Sequence, residues 1–366
     1  MDRIILAPLW LTSNRWNARG PMSDKPHLFI ILNPVAGHVQ ADTVHKIFIE
    51  TFGCNGINYD VYETIGQENV TEIVRDALNR SYSMIVAVGG DGTVSEVANG
   101  LVKQDIPLGI VPLGTGNLVA RELGIPLTVE EACQLLVGSH THTLLDVMQI
   151  GQHAFVPHIS LGIYSQVIDK TTIEEKRRFG MAAYFWRALQ EISQQRSWKV
   201  TISVDNQKQQ VYASLIIVAN IGTIGIGALR WGSRIRPDDG EVDICIVQAR
   251  TVGGYLSTFW HLLNGQPWRA PETLYLRARE EVVITADRPI PVRLDGENFE
   301  QLTVRIEVVP RAIKVITPLI HKEKKFMAIT AMNPATGEPI KEYKEMTPAE
   351  VEDIISSVHV WDPGIC

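Results

Sequence analysis

The length, composition and charge of the chain set the first limits on its class. Its 366 residues exceed what one hydrophobic core usually holds, and 45% hydrophobic residues are enough to fill two cores. The net charge of −7 argues against a nucleic-acid partner, because proteins that bind nucleic acids carry a basic surface. Four scattered cysteines, without a Cys-x-x-Cys pair, argue against a zinc site or a disulfide framework. We therefore expect a cytoplasmic protein of two domains with reduced thiols.

The first elements in chain order alternate between strand and helix. Residues 1–26 precede this pattern, and we interpret them as an N-terminal extension. Short apolar runs predict buried strands at Leu28–Leu32, at Met84–Val88 and within Pro107–Asn117. Between and after them the pattern predicts a helix from Thr43, a strand at Ile57–Glu63, a helix at Asn69–Leu78 and a helix from Thr93 with Val94, Val97 and Leu101 on one face. The alternation predicts a parallel sheet over residues 27–145.

Each of the three buried strands ends in a turn rich in Gly, Asn or Thr. The turns read Asn33-Pro-Val-Ala-Gly37, Gly89-Gly-Asp-Gly-Thr93 and Leu113-Gly-Thr-Gly-Asn117. In an open α/β sheet such turns line the crevice at the carboxyl edge, where ligands bind. The second turn leads into a helix, and free N–H groups at a helix start suit a phosphate. Asp91 would be repelled there unless a cation joined it, which points to Mg²⁺ and phosphoryl transfer; a plain glycine turn is the alternative.

The second half of the chain has a different pattern. After Asp146, β-rich runs predict a second, largely antiparallel β domain over residues 146–318. The segment Gln209–Leu229 lacks charged residues and is long enough to span a bilayer, but Asn220 and several glycines interrupt it. A strand followed by a glycine-rich loop explains this segment better than a membrane span.

Five motifs in register resemble the diacylglycerol kinase catalytic-domain family, which includes bacterial lipid kinases and sphingosine kinases. They are NPVAG, GGDGTVSEVANGL and PLGTGNLVARELGIP, followed by RPDDGEVDICIV at 236–247 and DGEN at 295–298. The resemblance covers roughly residues 27–318. It implies an α/β fold with a Rossmann-like ATP-binding domain over residues 27–145 and a β-rich lipid-substrate domain over 146–318. It also implies transfer of the γ-phosphate of Mg·ATP to a lipid hydroxyl, most simply that of a diacylglycerol-like acceptor.

The resemblance assigns the glycine-rich segment to ATP and places Asp91 beside the Mg²⁺-nucleotide. The expected cradle consists of Asn33, Gly89, Gly90, Asp91, Gly92, Thr93 and Thr115. A Walker P-loop is absent from the sequence, so backbone amides and Mg²⁺ must carry the phosphate charge. Helical spacing makes Asn99 a structural residue, and Asn117 fits a helix N-cap as well as a ligand contact.

Two acids are candidates for the catalytic base. Asp295-Gly-Glu-Asn298 follows the predicted strand Pro291–Leu294, and the residues alone favour an ordinary hairpin turn. Related bacterial lipid kinases carry their catalytic glutamate in this motif, which implies Glu297. In sphingosine kinases the role is attributed to the aspartate of the glycine-rich motif, which here is Asp91. The choice between Glu297 and Asp91 stays open.

The resemblance implies a second, structural Mg²⁺ site in the acidic segment Arg236–Asp243. From the residues alone this segment is a solvated hairpin. Similar lipid kinases bind Mg²⁺ there through the aspartate before the glycine and through nearby carbonyls. Carried over, this gives Asp239 with main-chain oxygens near Arg236 and Glu241, and such oxygen ligands suit a hard cation.

Two segments could meet the lipid, which we expect in an apolar cleft between the domains. Lys176–Arg178, beside aromatic residues, either meets anionic headgroups or forms a solvated basic turn. The segment 253–268 places Leu256, Phe259, Trp260 and Leu263 at amphipathic spacing. We expect this helix to pack on its own sheet, with peripheral membrane contact as the alternative.

Two other functions share part of this evidence. NAD kinase has a GGDGT turn, but a segment similar to TPTGSTAY is missing from the second half of this sequence. A non-catalytic lipid- or nucleotide-binding regulator would need a broken cradle or lost acids, and the sequence has neither.

Residues 327–366 have a separate character. They resemble the amino terminus of succinate-semialdehyde dehydrogenases, of which they would cover a leading strand and the first helix, predicted at Pro348–Val358 after Thr347. With Lys341 and Lys344 against seven acids, they carry a net charge of −5. We interpret them as an appended tail without dehydrogenase activity.

Overall fold

A computed structural model describes most of the chain. The described residues are 26–37, 39–162, 197–224, 229–232, 235–294 and 297–319, with the backbone alone for residues 4–5, 294, 297–298, 329–332 and 339–343. The chain forms two compact units, Met1–Pro318 and Leu319–Cys366.

The amino-terminal part of the first unit is built on a parallel sheet. Its elements are β1 (Ile4–Ile5), β2 (His27–Leu32), α1 (Ala41–Phe48), a π-helical turn (Ile49–Gly53), β3 (Asn58–Glu63), α2 (Val70–Ala77), β4 (Met84–Gly89), α3 (Asp91–Gly100), β5 (Leu108–Pro112), α4 (Leu118–Glu122) and α5 (Val129–Val137). The strand order is β1-β3-β2-β4-β5, in which β3, β2, β4 and β5 are parallel. This confirms the predicted parallel sheet. β1, from the segment interpreted as an extension, pairs antiparallel with β3 at the edge.

Both faces of this sheet are covered at its inner strands, which explains why β2, β4 and β5 are largely apolar, whereas β3 carries polar residues. In β4, Ile85 and Ala87 pack in one cluster with residues of α2 and α3, whereas Val86 and Val88 pack with α1 and α5. Alternate residues of a strand point to opposite faces, so a strand between two helical layers needs apolar residues at every position. The helices therefore flank the sheet on both sides and leave its carboxyl edge to the turns.

Helix α3 begins two residues earlier than the spacing predicted. Gly90 is the N-cap, and the N–H of Val94 donates to the carbonyl of Gly90 at 3.1 Å. The predicted apolar face is confirmed, because Val94, Val97 and Leu101 are buried. The earlier start places Asp91 in the first turn of the helix, whereas the sequence had placed it in the preceding turn.

The remainder of the first unit is largely antiparallel. Its elements are β6 (His140–Ile150), β7 (His153–Phe155), β8 (His158–Gly162), β9 (Trp198–Val204), β10 (Gln207–Ala213), β11 (Leu215–Ala219), β12 (Val242–Val247), α6 (Val252–Leu263), a 3₁₀ turn (Pro267–Arg269), β13 (Thr273–Ala278), β14 (Glu281–Leu294) and β15 (Glu297–Pro318). The order β15-β14-β8-β11-β12-β13 is antiparallel at every step, and β9 and β10 extend it from β14. The predicted change to antiparallel strands is confirmed.

One long strand joins the two parts into a continuous sheet. β15 pairs antiparallel with β14 and β6, and at Val315 it pairs in parallel with Leu108 of β5. The register shifts between Val309 and Ile313, where Arg311 has a positive φ of 51°. The carboxyl end of β15 therefore belongs to the parallel part and its amino end to the antiparallel part.

The uncharged segment that begins at Gln209 forms the end of one strand and the whole of a second, where a single strand was expected. β10 ends at Ala213 and β11 begins at Leu215. Between them, the N–H and the hydroxyl of Ser214 both donate to the carbonyl of Val247. Within the described ranges, no helix is long and apolar enough to cross a membrane.

The second unit contains a two-stranded antiparallel sheet, β16 (Ile329–Met332) with β17 (Pro339–Tyr343). The predicted helix at Pro348–Val358 lies outside the described residues, and so does the basic segment Lys176–Arg178.

Candidate active site

The turns that follow β2, β4 and β5 contact one another at the carboxyl edge of the sheet. The Asn33 amide donates to the hydroxyl of Thr93 at 3.2 Å, which ties the first turn to the second. The N–H of Leu113 donates to the carbonyl of Gly89 at 2.8 Å, which ties the third turn to the second. The structure therefore brings together the three glycine-rich motifs that the sequence separates.

The close approach of these turns explains several of their glycines. A Cβ on Gly114 would lie 2.7 Å from the Cα of Gly90, and a Cβ on Gly89 would lie 2.5 Å from the Thr93 hydroxyl. Both distances are too short for a side chain. A Cβ on Gly92 would meet no atom within 4 Å, and Gly92 is exposed. The protein interior does not require glycine at position 92, so this glycine keeps open the space in front of the α3 amino end.

The amino end of α3 has the properties of an anion site. The N-cap is Gly90, which has no side chain with which to cap the helix. The first N–H groups of a helix lack partners within the helix, and the helix dipole adds partial positive charge there. With Gly92 exposed, these groups are accessible to a phosphate.

The Asp91 carboxylate has a partner within the protein. Its Oδ1 accepts the N–H of Leu118 at 2.6 Å, at the start of α4. Burial raises the pKa of Asp91, although the N–H groups of Leu118, Val119 and Asn117 oppose this shift. The N–H groups at the amino end of α4 therefore offset part of the Asp91 charge, so a cation is not the only group that can do so. The acid links the second turn to the third.

Asn117 and Asn99 have structural roles. Asn117 lies at the N-cap position of α4 in a left-handed conformation, with a φ of 47°, but its side chain does not cap the helix. Instead its amide donates to the carbonyl of Gly114 at 2.7 Å and closes the turn, which leaves Thr115 exposed. The Asn99 amide oxygen accepts the N–H of Ala154 at 3.1 Å, in agreement with the structural role expected from its spacing.

A hydrogen-bonded group that no sequence motif predicts links α4 to the antiparallel part. The Glu122 carboxylate accepts the N–H and the hydroxyl of Thr223, at 3.1 and 2.6 Å, and pairs with Arg230 at 2.7 Å. The Glu122 side chain is only 7% exposed. These partners lie 101 and 108 residues away in sequence, a separation at which local spacing carries no signal.

The second candidate base, Glu297, opens β15. Leu294 pairs with Glu297 across the hairpin, so the predicted hairpin is present in the backbone. Asp295, Gly296 and the Glu297 side chain lie outside the described residues. Next to this hairpin, Arg293 pairs with Ser160 of β8, and His158 of β8 pairs with Ala219 of β11. The hairpin therefore lies at the edge of the antiparallel part where β11 ends, and the residues that follow β11 contact Glu122.

In the acidic segment, the two neighbouring aspartates have different surroundings. Asp238 pairs with Arg236, with two nitrogen–oxygen distances of 3.1 Å. The Asp239 carboxylate accepts the N–H of Glu241 at 3.2 Å. Burial raises the pKa of Asp239, and the negative charges of Glu241 and Asp146 add to the shift. Glu241 itself is held by Arg277 and Arg279, at 3.0 and 2.7 Å.

This segment is anchored by Asp146, a residue that the sequence marked only as a domain boundary. The two oxygens of its fully buried carboxylate accept the N–H groups of Gly240 and Arg311, at 2.6 and 2.7 Å. Its carbonyl accepts the Asn220 amide at 2.7 Å. Asp146 therefore fixes the acidic segment, the bend in β15 and the end of β11 relative to one another.

The donor set of the acidic segment is compatible with a cation. Among the residues that the structure describes, no three His, Cys, Asp or Glu side chains cluster as metal ligands. The site implied by the resemblance does not need such a cluster, because it uses one carboxylate and main-chain carbonyls. Negative charges close to Asp239 favour a bound cation.

Two family models match the chain in succession. Residues 27–150 match the diacylglycerol kinase catalytic domain, and residues 158–317 match the YegS C-terminal NAD kinase beta sandwich-like domain.

Similar proteins agree with these matches. A YegS-like probable lipid kinase of Pseudomonas aeruginosa is 32% identical over 67% of this chain and 80% of that protein. A diacylglycerol kinase of Staphylococcus haemolyticus is 28% identical over 79% of this chain and 87% of that protein. A crystal structure of a diacylglycerol kinase from Bacillus anthracis has a TM-score of 0.65 at 23% identity, covers 81% of this chain and 99% of its own, and shares the fold. This chain therefore belongs to the diacylglycerol kinase catalytic-domain family and is a lipid kinase.

Proposed function

We propose that this lipid kinase transfers the γ-phosphate of Mg·ATP to the hydroxyl group of a diacylglycerol-like lipid. The observation that carries the proposal is the amino end of α3, which has no side-chain cap and opens onto an exposed Gly92. The neighbouring turns approach each other closely here, because a Cβ on Gly114 would lie 2.7 Å from the Cα of Gly90, so glycines border this space. An opening lined by backbone N–H groups suits a polyphosphate.

The residues of the cradle have distinct roles in this proposal. The N–H groups at Gly92 and Thr93 bind phosphate oxygens, and Asn33 fixes Thr93 through its amide. Thr115 is exposed on the third turn and contacts the nucleotide from the other side. When bound, Mg²⁺ would neutralise part of the phosphate charge, and Asp91 is the carboxylate that would hold it.

The structural Mg²⁺ site uses Asp239 with the main-chain carbonyls near Arg236 and Glu241. Its neighbour Asp238 is engaged by Arg236, so Asp239 is the better ligand of the two aspartates. Oxygen donors of this kind suit Mg²⁺. The role of this site is to fix the acidic segment beside Asp146, whose carboxylate accepts the N–H of Gly240.

Either Glu297 or Asp91 takes the proton from the acceptor hydroxyl, and a pair of variants separates them. If Glu297 is the base, Glu297→Gln lowers kcat by about two to four orders of magnitude and leaves ATP affinity nearly unchanged. Glu300→Gln, three positions along the same strand and exposed, is the matched control. Weaker ATP binding by calorimetry, with wild-type turnover at saturation, would place Glu297 in the binding site and leave Asp91 as the base.

A transfer assay tests the reaction and its acceptor. Purified full-length protein is incubated with radiolabelled ATP, Mg²⁺ and a panel of lipids: diacylglycerol, phosphatidylglycerol, a prenol and a sphingoid base. We expect a labelled product from diacylglycerol that disappears when Mg²⁺ is chelated. Labelling of another lipid would keep the kinase and change the acceptor, and labelling of none would contradict catalysis and favour a binding regulator.

The family model for residues 158–317 gives a reason to test a second acceptor. Its description refers to an NAD kinase-like β-sandwich, and the glycine-rich turn is shared with NAD kinase. The same assay with NAD in place of lipid tests this alternative. Phosphorylation of NAD in preference to every lipid would overturn the lipid acceptor.

A further inference from the structure

Helix α6 presents an apolar face to solvent. Val252, Leu256 and Trp260 are spaced four residues apart and form a row along the helix, with Leu263 beside its end. All four are exposed, and Trp260 is 65% exposed. Trp268, in the turn after the helix, is also exposed. These five residues are the α6 apolar face. Of the four residues in the predicted stripe, Leu256, Trp260 and Leu263 are exposed and only Phe259 is partly buried, so the expectation that this stripe packs on the sheet is wrong for three of them.

The opposite side of the helix makes the packing contacts. Gly254 is buried, because the Glu272 side chain lies where its Cβ would be, at 2.9 Å. Tyr255 packs against the core of the antiparallel part, and Leu262 packs against the cluster that contains Trp231. The helix is therefore fixed to the sheet through Gly254, Tyr255 and Leu262, and the exposed row lies on its other side.

The segment that carries the α6 apolar face contains basic residues and no acidic ones, and the nearest acid in sequence, Glu272, lies against Gly254 on the packed side of the helix. No Asp or Glu occurs between Ile244 and Pro271, although the chain as a whole has a net charge of −7. Arg250 precedes the helix and Arg269 follows it, and both are exposed. The Arg250 guanidinium lies over the ring of Tyr212 at 4.2 Å, so an exposed aromatic residue flanks this end as well.

We propose that the α6 apolar face docks on an anionic lipid bilayer and brings the kinase to its acceptor. Leu256 and Trp260 enter the boundary between headgroups and acyl chains, and the two arginines meet anionic headgroups. Trp and Tyr favour this boundary, which fits their places at the ends of the face. This inference rests on the proposed function, since a diacylglycerol-like acceptor resides in a bilayer.

The charge pattern favours a bilayer over a second copy of the chain. A two-fold interface would set like faces against each other, and with them the same arginines. No acid between Ile244 and Pro271 could offset that repulsion. An anionic bilayer supplies both an apolar layer and the opposite charge.

Vesicle sedimentation without nucleotide tests the inference. The full-length chain is spun down with vesicles of phosphatidylcholine alone and with vesicles that also contain phosphatidylglycerol. We expect binding to the anionic vesicles, reduced about tenfold or more by the double substitution Leu256→Ser with Trp260→Ser. Arg250→Gln with Arg269→Gln should abolish the preference for anionic vesicles. The control is Leu302→Ser, a leucine 54% exposed on β15, which should bind like wild type.

The kinase assay separates failure of this inference from failure of the proposed function. On a short-chain diacylglycerol below its micelle concentration, the Leu256/Trp260 variant should match wild type, which also shows that it folds. On diacylglycerol within vesicles, it should be slower in proportion to its lost binding. Wild-type sedimentation by this variant would overturn the docking proposal, even if the lipid is phosphorylated. A lower oligomeric mass for the variant, in a protein that ignores vesicles, would also overturn it and assign the face to a second copy.

Discussion

At the scale of single residues, Asp91 costs the folded protein stability at neutral pH. Its pKa is raised by burial above the ordinary value of 3.8. The folded protein therefore binds this proton more tightly than the unfolded chain, and the free energy of unfolding falls as pH rises through the raised pKa. Asn at this position keeps an oxygen for the Leu118 N–H and carries no charge. We expect nucleotide-free Asp91→Asn to be at least as stable as wild type at neutral pH. Thermal melts should show this difference shrinking as pH falls toward the ordinary value.

The same substitution should remove activity. Loss of one preorganised charge at the transferring phosphate costs at least about 100-fold in kcat. The matched control is Asp42→Asn, an exposed acid in the first turn of α1, which should leave activity unchanged. Transfer at the wild-type rate by Asp91→Asn would remove this turn from the nucleotide site.

Single residues also mark the limit of what the sequence could predict. Asn33, Gly90 and Thr93 were recognisable because a glycine-rich turn after a buried strand has a local pattern. Asp146 and Glu122 had no such pattern. Their partners lie far along the chain, and only the assembled fold shows that each carboxylate accepts several hydrogen bonds.

At the scale of elements, α4 connects the turns at the carboxyl edge of the parallel sheet to the antiparallel part. Asp91 contacts its amino end, and Glu122 at its carboxyl end holds Thr223 and Arg230. We expect Glu122→Ala to lower the free energy of unfolding by about 2 kcal/mol, since a charged acceptor of several hydrogen bonds is lost. Hydrogen exchange should quicken at Thr223 while the N–H groups of β4 keep their protection. Glu130→Ala, an exposed acid on α5, is the control.

A double-mutant cycle measures the contact itself. The effects of Glu122→Ala and Arg230→Ala on the free energy of unfolding should couple by about 0.5–3 kcal/mol, because the two side chains form one hydrogen-bonded group. Additive effects of the two substitutions would mean that the ion pair contributes nothing, and the link between α4 and the residues after β11 would rest on Thr223 alone.

The buried face of a helix was predictable from the sequence where the spacing of its apolar residues matches the packed side. It was not predictable where the packed side uses other residues. The face of α3 was correct, since Val94 and Val97 are buried. The face of α6 was wrong, because the helix packs through Gly254 and Tyr255 and turns Leu256 outward. Apolar periodicity shows that a helix has an apolar face but not whether protein or lipid covers it.

At the scale of the whole molecule, β15 makes the first unit one continuous sheet. Val315 pairs with Leu108, and the two residues are too far apart in sequence for a local pattern to predict the pairing. The change from parallel to antiparallel strands was predictable from the sequence. The carboxyl half of β15, from Ile313 to Pro318, also pairs with β6. The first unit should therefore depend on the chain up to Pro318.

The chain beyond this strand should be dispensable. Leu319–Cys366 forms its own compact unit, and its described strands, Ile329–Met332 and Pro339–Tyr343, pair with each other in a separate sheet. Truncation after Phe326 removes those strands and no pairing of the main sheet. We expect unchanged lipid phosphorylation and a melting temperature within a few degrees of wild type, the scale of about 1 kcal/mol in a chain of this size.

A chain that ends earlier, at Val309, provides the contrast. Ending the chain after Val309 removes Ile313–Pro318 and with it the pairing of β15 to β5 and to the amino-terminal half of β6. The buried residues Leu108 and Leu145 would then lose neighbours in the sheet, so this protein should be insoluble or unfolded. Calorimetry and the transfer assay compare both truncations with wild type. If the truncation after Phe326 behaved like the truncation after Val309, the last forty residues would be required by the kinase, and their interpretation as an appended tail would be wrong.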